Sequence, residues 1–267
     1  MMLEFDKYEG LGNDFIVVDA KDDAAVTPEQ ARKLCDRHFG IGADGVLLVT
    51  PPRSAEGRAS MVVINADGSR PEMCGNGLRC VALHLALQDD AVGISYVVDT
   101  DAGPLSCEVE RDGDAAMVRT SMGRGRPQGE HSAEHASTRL DLALVSMGNP
   151  HAIVFDSHLD SAAVDACAPE ISAAFPEGCN IEFAETRGPR AFDLVVWERG
   201  VGRTLACGTG AAATVVAAAR AGRVPYGEPV EVHLPGGPLS VTVAPETLEV
   251  VLRGPARRVF RGRVDKE

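Results

Sequence analysis

Two cysteines stand in matched surroundings, and the chemistry open to them sets the questions asked of the rest of the chain. Cys74 opens CGNG and Cys207 opens CGTG, and each tetrapeptide leads into an apolar run that predicts a helix. A helix N-terminus offers free N–H groups and partial positive charge, so a thiol placed there is expected to ionise more readily. The glycines allow close backbone approach to a ligand, and the N–H groups can hold an anion such as a carboxylate. Two such turns facing each other would grip one carboxylate and set a thiol on each side of the adjoining carbon. One thiolate would take a proton from one face while the other thiol returned one to the opposite face, inverting a stereocentre by general base and general acid. Helix-end donors would stabilise the charge that develops on the carboxylate. This chemistry calls for no metal and no cofactor. Taken singly, CGNG also reads as a tight turn around a buried cysteine. A disulfide between Cys74 and Cys207, or a thiol redox switch, is the rival thiol chemistry.

The weight comes from a repeat. The two cysteines lie 133 positions apart, about half of the 267 residues. Nine positions before each stands a polar residue at the end of an expected strand, Asn65 in one half and Glu198 in the other. Gly12-Asn13-Asp14-Phe15-Ile16-Val17-Val18 matches Gly148-Asn149-Pro150-His151-Ala152-Ile153-Val154 at an offset of 136. Three coincidences at nearly constant offset imply internal duplication and two similar domains, with a cleft between them. The boundaries are set at 1–117 and 118–255, with the tail at about 256–267 returning to the first domain. By position in the repeat, Arg199 could pair with a carboxylate, and His151 and Glu198 could adjust how protons divide between the thiols.

Composition narrows the class. Hydrophobic residues make up 45% and charged residues 24%, as in ordinary globular domains. A net charge of −13 argues against nucleic acid or an anionic membrane as the main partner. No secretory leader or membrane-length apolar run is visible, and seven cysteines without paired spacing fit a reducing, cytoplasmic setting. Cys35, Cys80, Cys107, Cys167 and Cys179 read as small buried thiols. No His or Cys spacing suits zinc, and neither a P-loop nor a dinucleotide-binding glycine motif is present.

The elements that must position the cysteines are many short strands and about two helices per half, an α+β pattern rather than regular βαβ. Thr27-Pro28 opens a helix, Asp165 to Ala174 reads as another, and the thiol-bearing helices run over Asn76–Gln88 and Gly208–Ala221. Met122 to Ser137, rich in Gly, Arg, His, Ser and Glu, reads as an exposed linker. The last expected strand covers Leu248 to Leu252.

With these residues in view, the chain resembles diaminopimelate epimerases. The resemblance rests on GLGNDFIVVD, RHFGIGADGVLLV, NADGSRPEMCGNGLRC, GNPHAIVF, CNIEF and WERGVGRTLACGTGA, in order over nearly the whole length. It implies two pseudo-symmetric α/β domains, each a barrel-like mixed sheet around a central helix. It further implies a cofactor-independent, homodimeric enzyme that interconverts LL- and meso-diaminopimelate for lysine and peptidoglycan precursors. Its acid and base fall on Cys74 and Cys207. Its substrate contacts fall on Asn13, Asn65, Gly75, Asn76, Asn149, Asn180, Glu198, Arg199, Gly208 and Thr209, and its tuners of thiol pKa on His151 and Glu198. Two positions depart from the family pattern. Gly45 stands where some members carry a substrate-contacting Gln, and Arg203 where Glu is common. Proline-type epimerases and a non-catalytic anion-binding protein with a thiol switch are the competing expectations.

Overall fold

The computed structural model describes residues 2–135, 138–158 and 160–265, and the chain divides into two compact units. Unit 1 comprises Met1–Thr120 and Arg253–Glu267, and unit 2 comprises Ser121–Leu252. In chain order the elements begin β1 (Met2–Gly10), β2 (Asn13–Asp19), α1 (Pro28–Cys35), β3 (Gly45–Thr50), β4 (Ala59–Asn65) and α2 (Gly75–Gln88). They continue with β5 (Gly93–Thr100), β6 (Gly103–Asp112), β7 (Ala115–Arg124), β8 (Arg126–His135), β9 (Thr138–Ser146), β10 (Pro150–Phe155) and α3 (Ser161–Ala173). The remainder is β11 (Asn180–Gly188), β12 (Ala191–Glu198), β13 (Gly202–Thr204), α4 (Gly208–Arg220), β14 (Val230–Leu234), β15 (Gly237–Val243) and β16 (Glu249–Asp265).

In unit 1 the strands run β1-β2-β3-β4-β5-β6-β7-β16, and β16 pairs back onto β1, closing an eight-stranded barrel. The helix α2 fills it. Every residue from Gly75 to Ala86 is buried, Asn76, Arg79 and His84 included, so this helix is enclosed all round rather than packed along one stripe. The barrel strands are apolar on both faces because they have two layers to pack. Phe15, Val17, Leu47, Val49, Met61 and Val63 point to α2, while Ile16, Val18, Val46, Leu48, Val62 and Ile64 share a second core with Ala31, Leu34 and Cys35 of α1.

Unit 2 repeats the scheme. Its strands run β15-β14-β12-β11-β10-β9-β8, with β13 added on β12. Helix α4 is buried like α2. Leu142, Ala152, Val154, Ile181 and Phe183 pack against Val164, Cys167, Ala168 and Ile171 of α3. The connections match as well: α1 and α3 each cross between parallel strands (β2 to β3, β10 to β11), and so do α2 and α4 (β4 to β5, β12 to β14). The mixed α+β class and the duplicated fold are as the sequence implies.

Three local expectations are corrected. Of the segment read as a linker, residues 122–124 end β7 and Arg126–His135 form β8, paired antiparallel with β9; residues 136 and 137 lie outside the described residues. The side chains of β8 are mostly exposed, so the backbone ladder rather than an apolar face makes it a strand. Helix α3 starts earlier than Asp165, because Asp160 caps it by accepting from the Ala163 amide at 2.8 Å. The final strand continues past Leu252 to Asp265 and pairs with β1, where Arg261 meets Asp6 at 2.8 Å and Arg263 meets Glu4 at 2.9 Å. The end of the tail, residues 266 and 267, lies outside the described residues. Among the described residues no helix is long and apolar enough to cross a membrane.

Leu47, fully buried against α2, tests the inner layer. Leu47→Ala is expected to cost about 2–5 kcal/mol of stability, read from urea unfolding.

Candidate active site

Both cysteines occupy the N-cap of the helix buried in their own unit. Cys74 has φ −139° and ψ 112°, and Cys207 has φ −129° and ψ 107°. Each sulfur accepts a hydrogen bond from the third residue of its helix, Gly77 N–H at 3.4 Å and Gly210 N–H at 3.3 Å. Sulfur thus stands where the oxygen of Ser, Asp or Asn usually caps a helix. The Gly-Asn turns also coincide in backbone, with Gly12 at φ 79° and Gly148 at φ 102°, conformations open to glycine at little cost.

In unit 1 a directed chain of hydrogen bonds leads to Asn13. Arg79 is fully buried and donates to the Pro255 carbonyl at 3.1 Å, the Gly75 carbonyl at 3.4 Å and Asn76 Oδ1 at 2.9 Å. A guanidinium only donates, so Asn76 turns its oxygen toward Arg79 and its Nδ2 donates to Asn13 Oδ1 at 3.0 Å. Asn13 Nδ2 then donates to Asp44 Oδ2 at 2.6 Å, and a carboxylate only accepts. The two charged ends fix the sense of both amides between them. Asp44 is itself held by Arg37 at 2.7 Å and by the Asp14 amide at 3.0 Å. Asn65 ends β4 and donates to Ser69 Oγ at 2.9 Å, within its own turn. Gly45 pairs with Asn65 across the ladder, and a Cβ there would lie 2.9 Å from the Ile64 carbonyl oxygen.

In unit 2 the contacts run from the sulfur outward. Cys207 Sγ meets Thr209 Oγ1 at 3.4 Å, Thr209 Oγ1 accepts from Asn149 Nδ2 at 3.5 Å, and Asn149 Oδ1 meets His151 Nε2 at 3.0 Å. His151 Nδ1 meets Glu182 Oε1 at 2.6 Å, both side chains being completely buried. Glu198 accepts from Thr204 Oγ1 at 2.6 Å. Asn180 donates to the Pro150 carbonyl at 3.1 Å and accepts from the Arg199 amide at 3.0 Å, tying the start of β11 to β10 and to the end of β12. The Arg199 guanidinium reaches the Glu177 carbonyl at 2.6 Å. Arg203 pairs with Asp165 at 3.2 Å.

The thiol-ionising effect expected of a helix N-terminus does not prevail at Cys207. Burial pushes its pKa well above the ordinary thiol range, and the carboxylates of Glu198 and Glu182 add to the rise against opposing bonds from Thr209 and the Gly210 amide. Burial likewise raises Glu198. Cys207 is therefore held as a thiol. The five cysteines read as structural are buried, and burial raises the thiol pKa of each, Cys35 to about 11 and Cys107 and Cys179 to about 12.

Three participants escaped the sequence reading. Asp44 is the acid of GADG. Arg79 is a cation inside a mostly apolar helix. Glu182 is an acid inside the apolar strand NIEF. A charge in the middle of an apolar run was the available signal in the last two cases. Removing one of the carboxylates beside Cys207 lowers the barrier to its ionisation. Glu198→Gln is expected to move the pH midpoint of Cys207 alkylation by iodoacetamide to lower pH, followed by mass spectrometry of the labelled peptide.

The sequence model of the diaminopimelate epimerase family matches residues 5–126 and 143–259. The chain is 40% identical to a diaminopimelate epimerase of Acaryochloris marina over 98% of each chain. It is 40% identical to that of Synechocystis over 99% of this chain and 100% of the relative. Among solved structures, a phenazine biosynthesis protein of the PhzF family from Bacillus anthracis superposes with a TM-score of 0.76 at 16% identity, covering 99% of each chain. A hydroxyproline epimerase from Agrobacterium vitis gives 0.73 at 16% identity, over 98% of this chain and 92% of the other; at these identities the likeness is one of fold. With its family match spanning both halves and both cysteine turns, the chain belongs to the diaminopimelate epimerase family.

Proposed function

We propose that the protein interconverts LL- and meso-diaminopimelate by proton transfer between the substrate's α-carbon and two thiols, Cys74 and Cys207, without a cofactor. The observation that carries the reading is the pair of capping sulfurs, in equivalent backbone positions of two duplicated units, in a chain of this family. Inversion at carbon needs a proton removed from one face and another delivered to the opposite face, and two separate groups supply that directly. The α-hydrogen of an amino acid is weakly acidic. The first-turn amides of Gly75, Asn76, Gly208 and Thr209 are the donors proposed to stabilise the carboxylate as charge builds on it.

Diaminopimelate has two amino-acid heads, one to react and one to be recognised. The proposal assigns recognition to Asn13, Asn65, Asn149, Asn180, Glu198 and Arg199: amides and a guanidinium for carboxylate, an acid for ammonium. Cys207, whose surroundings favour the thiol, is suited to give a proton first. His151 and Glu198 are the groups proposed to set the balance of protons at the thiols. A cytoplasmic homodimer belongs to the same proposal, supported by the family resemblance; sedimentation at twice the chain mass is the check.

Incubation of reduced protein with LL-diaminopimelate is expected to yield the meso isomer on chiral chromatography. Cys74→Ala and Cys207→Ala are each expected to lower turnover by at least about 100-fold while leaving the circular dichroism spectrum intact. Normal turnover by either variant defeats the two-thiol reading. Product formed in heavy water is expected to carry deuterium at the inverted carbon, and product without it counts against proton exchange with solvent-derived thiols.

A further inference from the structure

The two units share one scaffold, so the residue at a given place in one can be compared with its counterpart in the other. Phe15 on β2 corresponds to His151 on β10 through the matched Gly-Asn turns. Phe15 pairs with Gly45 in the parallel β2–β3 ladder, and His151 pairs with Asn180 in the parallel β10–β11 ladder. Two residues further along the second strand stand Leu47 in unit 1 and Glu182 in unit 2. The helix turns confirm the match. A Cβ on Gly77 would meet Leu47 Cδ2 at 3.0 Å, and a Cβ on Gly210 would meet Glu182 Oε1 at 2.7 Å. Unit 1 fills these places with the apolar pair Phe15 and Leu47, both in the core around α2. Unit 2 fills them with a histidine and a glutamate, both fully buried.

Such a pair is a poor choice for stability alone. Withdrawing a carboxylate from water costs several kcal/mol, and apolar replacements of similar size are often neutral or stabilising. Only one Glu182 oxygen is used. Oε1 takes the imidazole, whereas Oε2 is buried with no hydrogen-bond partner among the described residues. Unit 1 holds Phe and Leu at these places, so the polar pair of unit 2 is explained by what it does to the neighbouring groups.

We propose that Glu182 is a positioning residue of the proposed epimerase reaction: its carboxylate accepts from His151 Nδ1 and so fixes the ring, with Nε2 turned to donate to the Asn149 side-chain oxygen. A carboxylate only accepts, so the nitrogen facing it carries hydrogen. The same bond fixes the ring plane and directs Nε2 to Asn149 at 3.0 Å, two hydrogen-bond steps from the Cys207 sulfur. The second glycine of CGTG has a matching reason, since any side chain at Gly210 would press on the Glu182 carboxylate and on Cys207 Sγ, 3.3 Å away. The ionisable groups that act with Glu182 are His151 from β10, Glu198 from β12, Cys207 from the cap of α4 and Cys179 from the turn before β11.

The inference rests on the epimerase reading, and the test separates the two. Wild type, Glu182→Gln, His151→Gln and the double variant are compared for kcat, KM, pH profile and thermal midpoint with LL-diaminopimelate. Glu182→Gln is expected to fold, to keep KM within about 3-fold, and to lower kcat by on the order of 10-fold or more with an altered pH profile. The double variant is expected to be no slower than His151→Gln, because Glu182 acts through the ring. Wild-type kcat and pH profile in Glu182→Gln, or losses that simply add in the double variant, would overturn the inference. Should Glu182→Gln fail to fold, the His151→Phe/Glu182→Leu variant decides, since it restores the apolar pair of unit 1. A thermal midpoint at or above wild type with turnover lost supports a functional pair, and retained turnover or failure to fold overturns it. If wild type itself forms no meso isomer, the epimerase reading falls instead. Glu182 is then read from Cys207 alkylation, whose pH midpoint is expected to drop in Glu182→Gln, an unchanged midpoint overturning the link.

Discussion

A helix enclosed on every side by strands has no solvent to satisfy its N-terminus, and this constraint shapes both units. In unit 1 the buried first turn of α2 is capped by the Cys74 sulfur, and its Gly75 carbonyl and Asn76 side-chain oxygen accept from Arg79, itself buried. In unit 2 the first turn of α4 is capped by Cys207. The cap fixes the sulfur's position through the backbone, not through a flexible stem. It also explains why glycine follows at the third helical place in both turns: Gly77 and Gly210 lie against Leu47 and Glu182 at distances that leave no room for a side chain. Core packing and thiol placement are thus one requirement met by one tetrapeptide.

The parts legible in the sequence were those written in residue type and repeated. CGNG and CGTG, the Gly-Asn turns and the apolar strands FIVV, VLLV and MVVI were readable because their chemistry or periodicity is local. β8 was not, because an exposed strand bears the polar side chains of a linker and is distinguished only by its ladder to β9. The far end of β16 was hidden for a similar reason. Its alternating arginines look like a charged tail, and their acidic partners, Glu4, Asp6 and Glu9, lie at the other end of the chain. Such exposed pairs contribute little energy singly, so the backbone register to β1 is what makes the strand.

The candidate site was legible in its nucleophilic atoms and illegible in their supports. Asn13 and Asn76 could be named from the sequence, but the sense of their amides follows from Arg79 at one end and Asp44 at the other, residues 35 positions apart in the chain. The thiol chemistry at Cys207 was misjudged from the same cause. A helix N-terminus favours the thiolate, yet that effect is modest beside full burial with Glu198 and Glu182 close by. Burial and carboxylates brought in from distant strands are not visible at the tetrapeptide.

Duplication makes the divergence between the units interpretable. Five places after each cysteine, inside the buried helix, unit 1 has Arg79 and unit 2 has Ala212. Nine places before, unit 1 has Asn65 and unit 2 has Glu198. The inner pair Phe15 and Leu47 has become His151 and Glu182. The changes differ in charge: the buried Arg79 guanidinium lies near the first thiol, while the carboxylates of Glu198 and Glu182 lie near the second and oppose its ionisation.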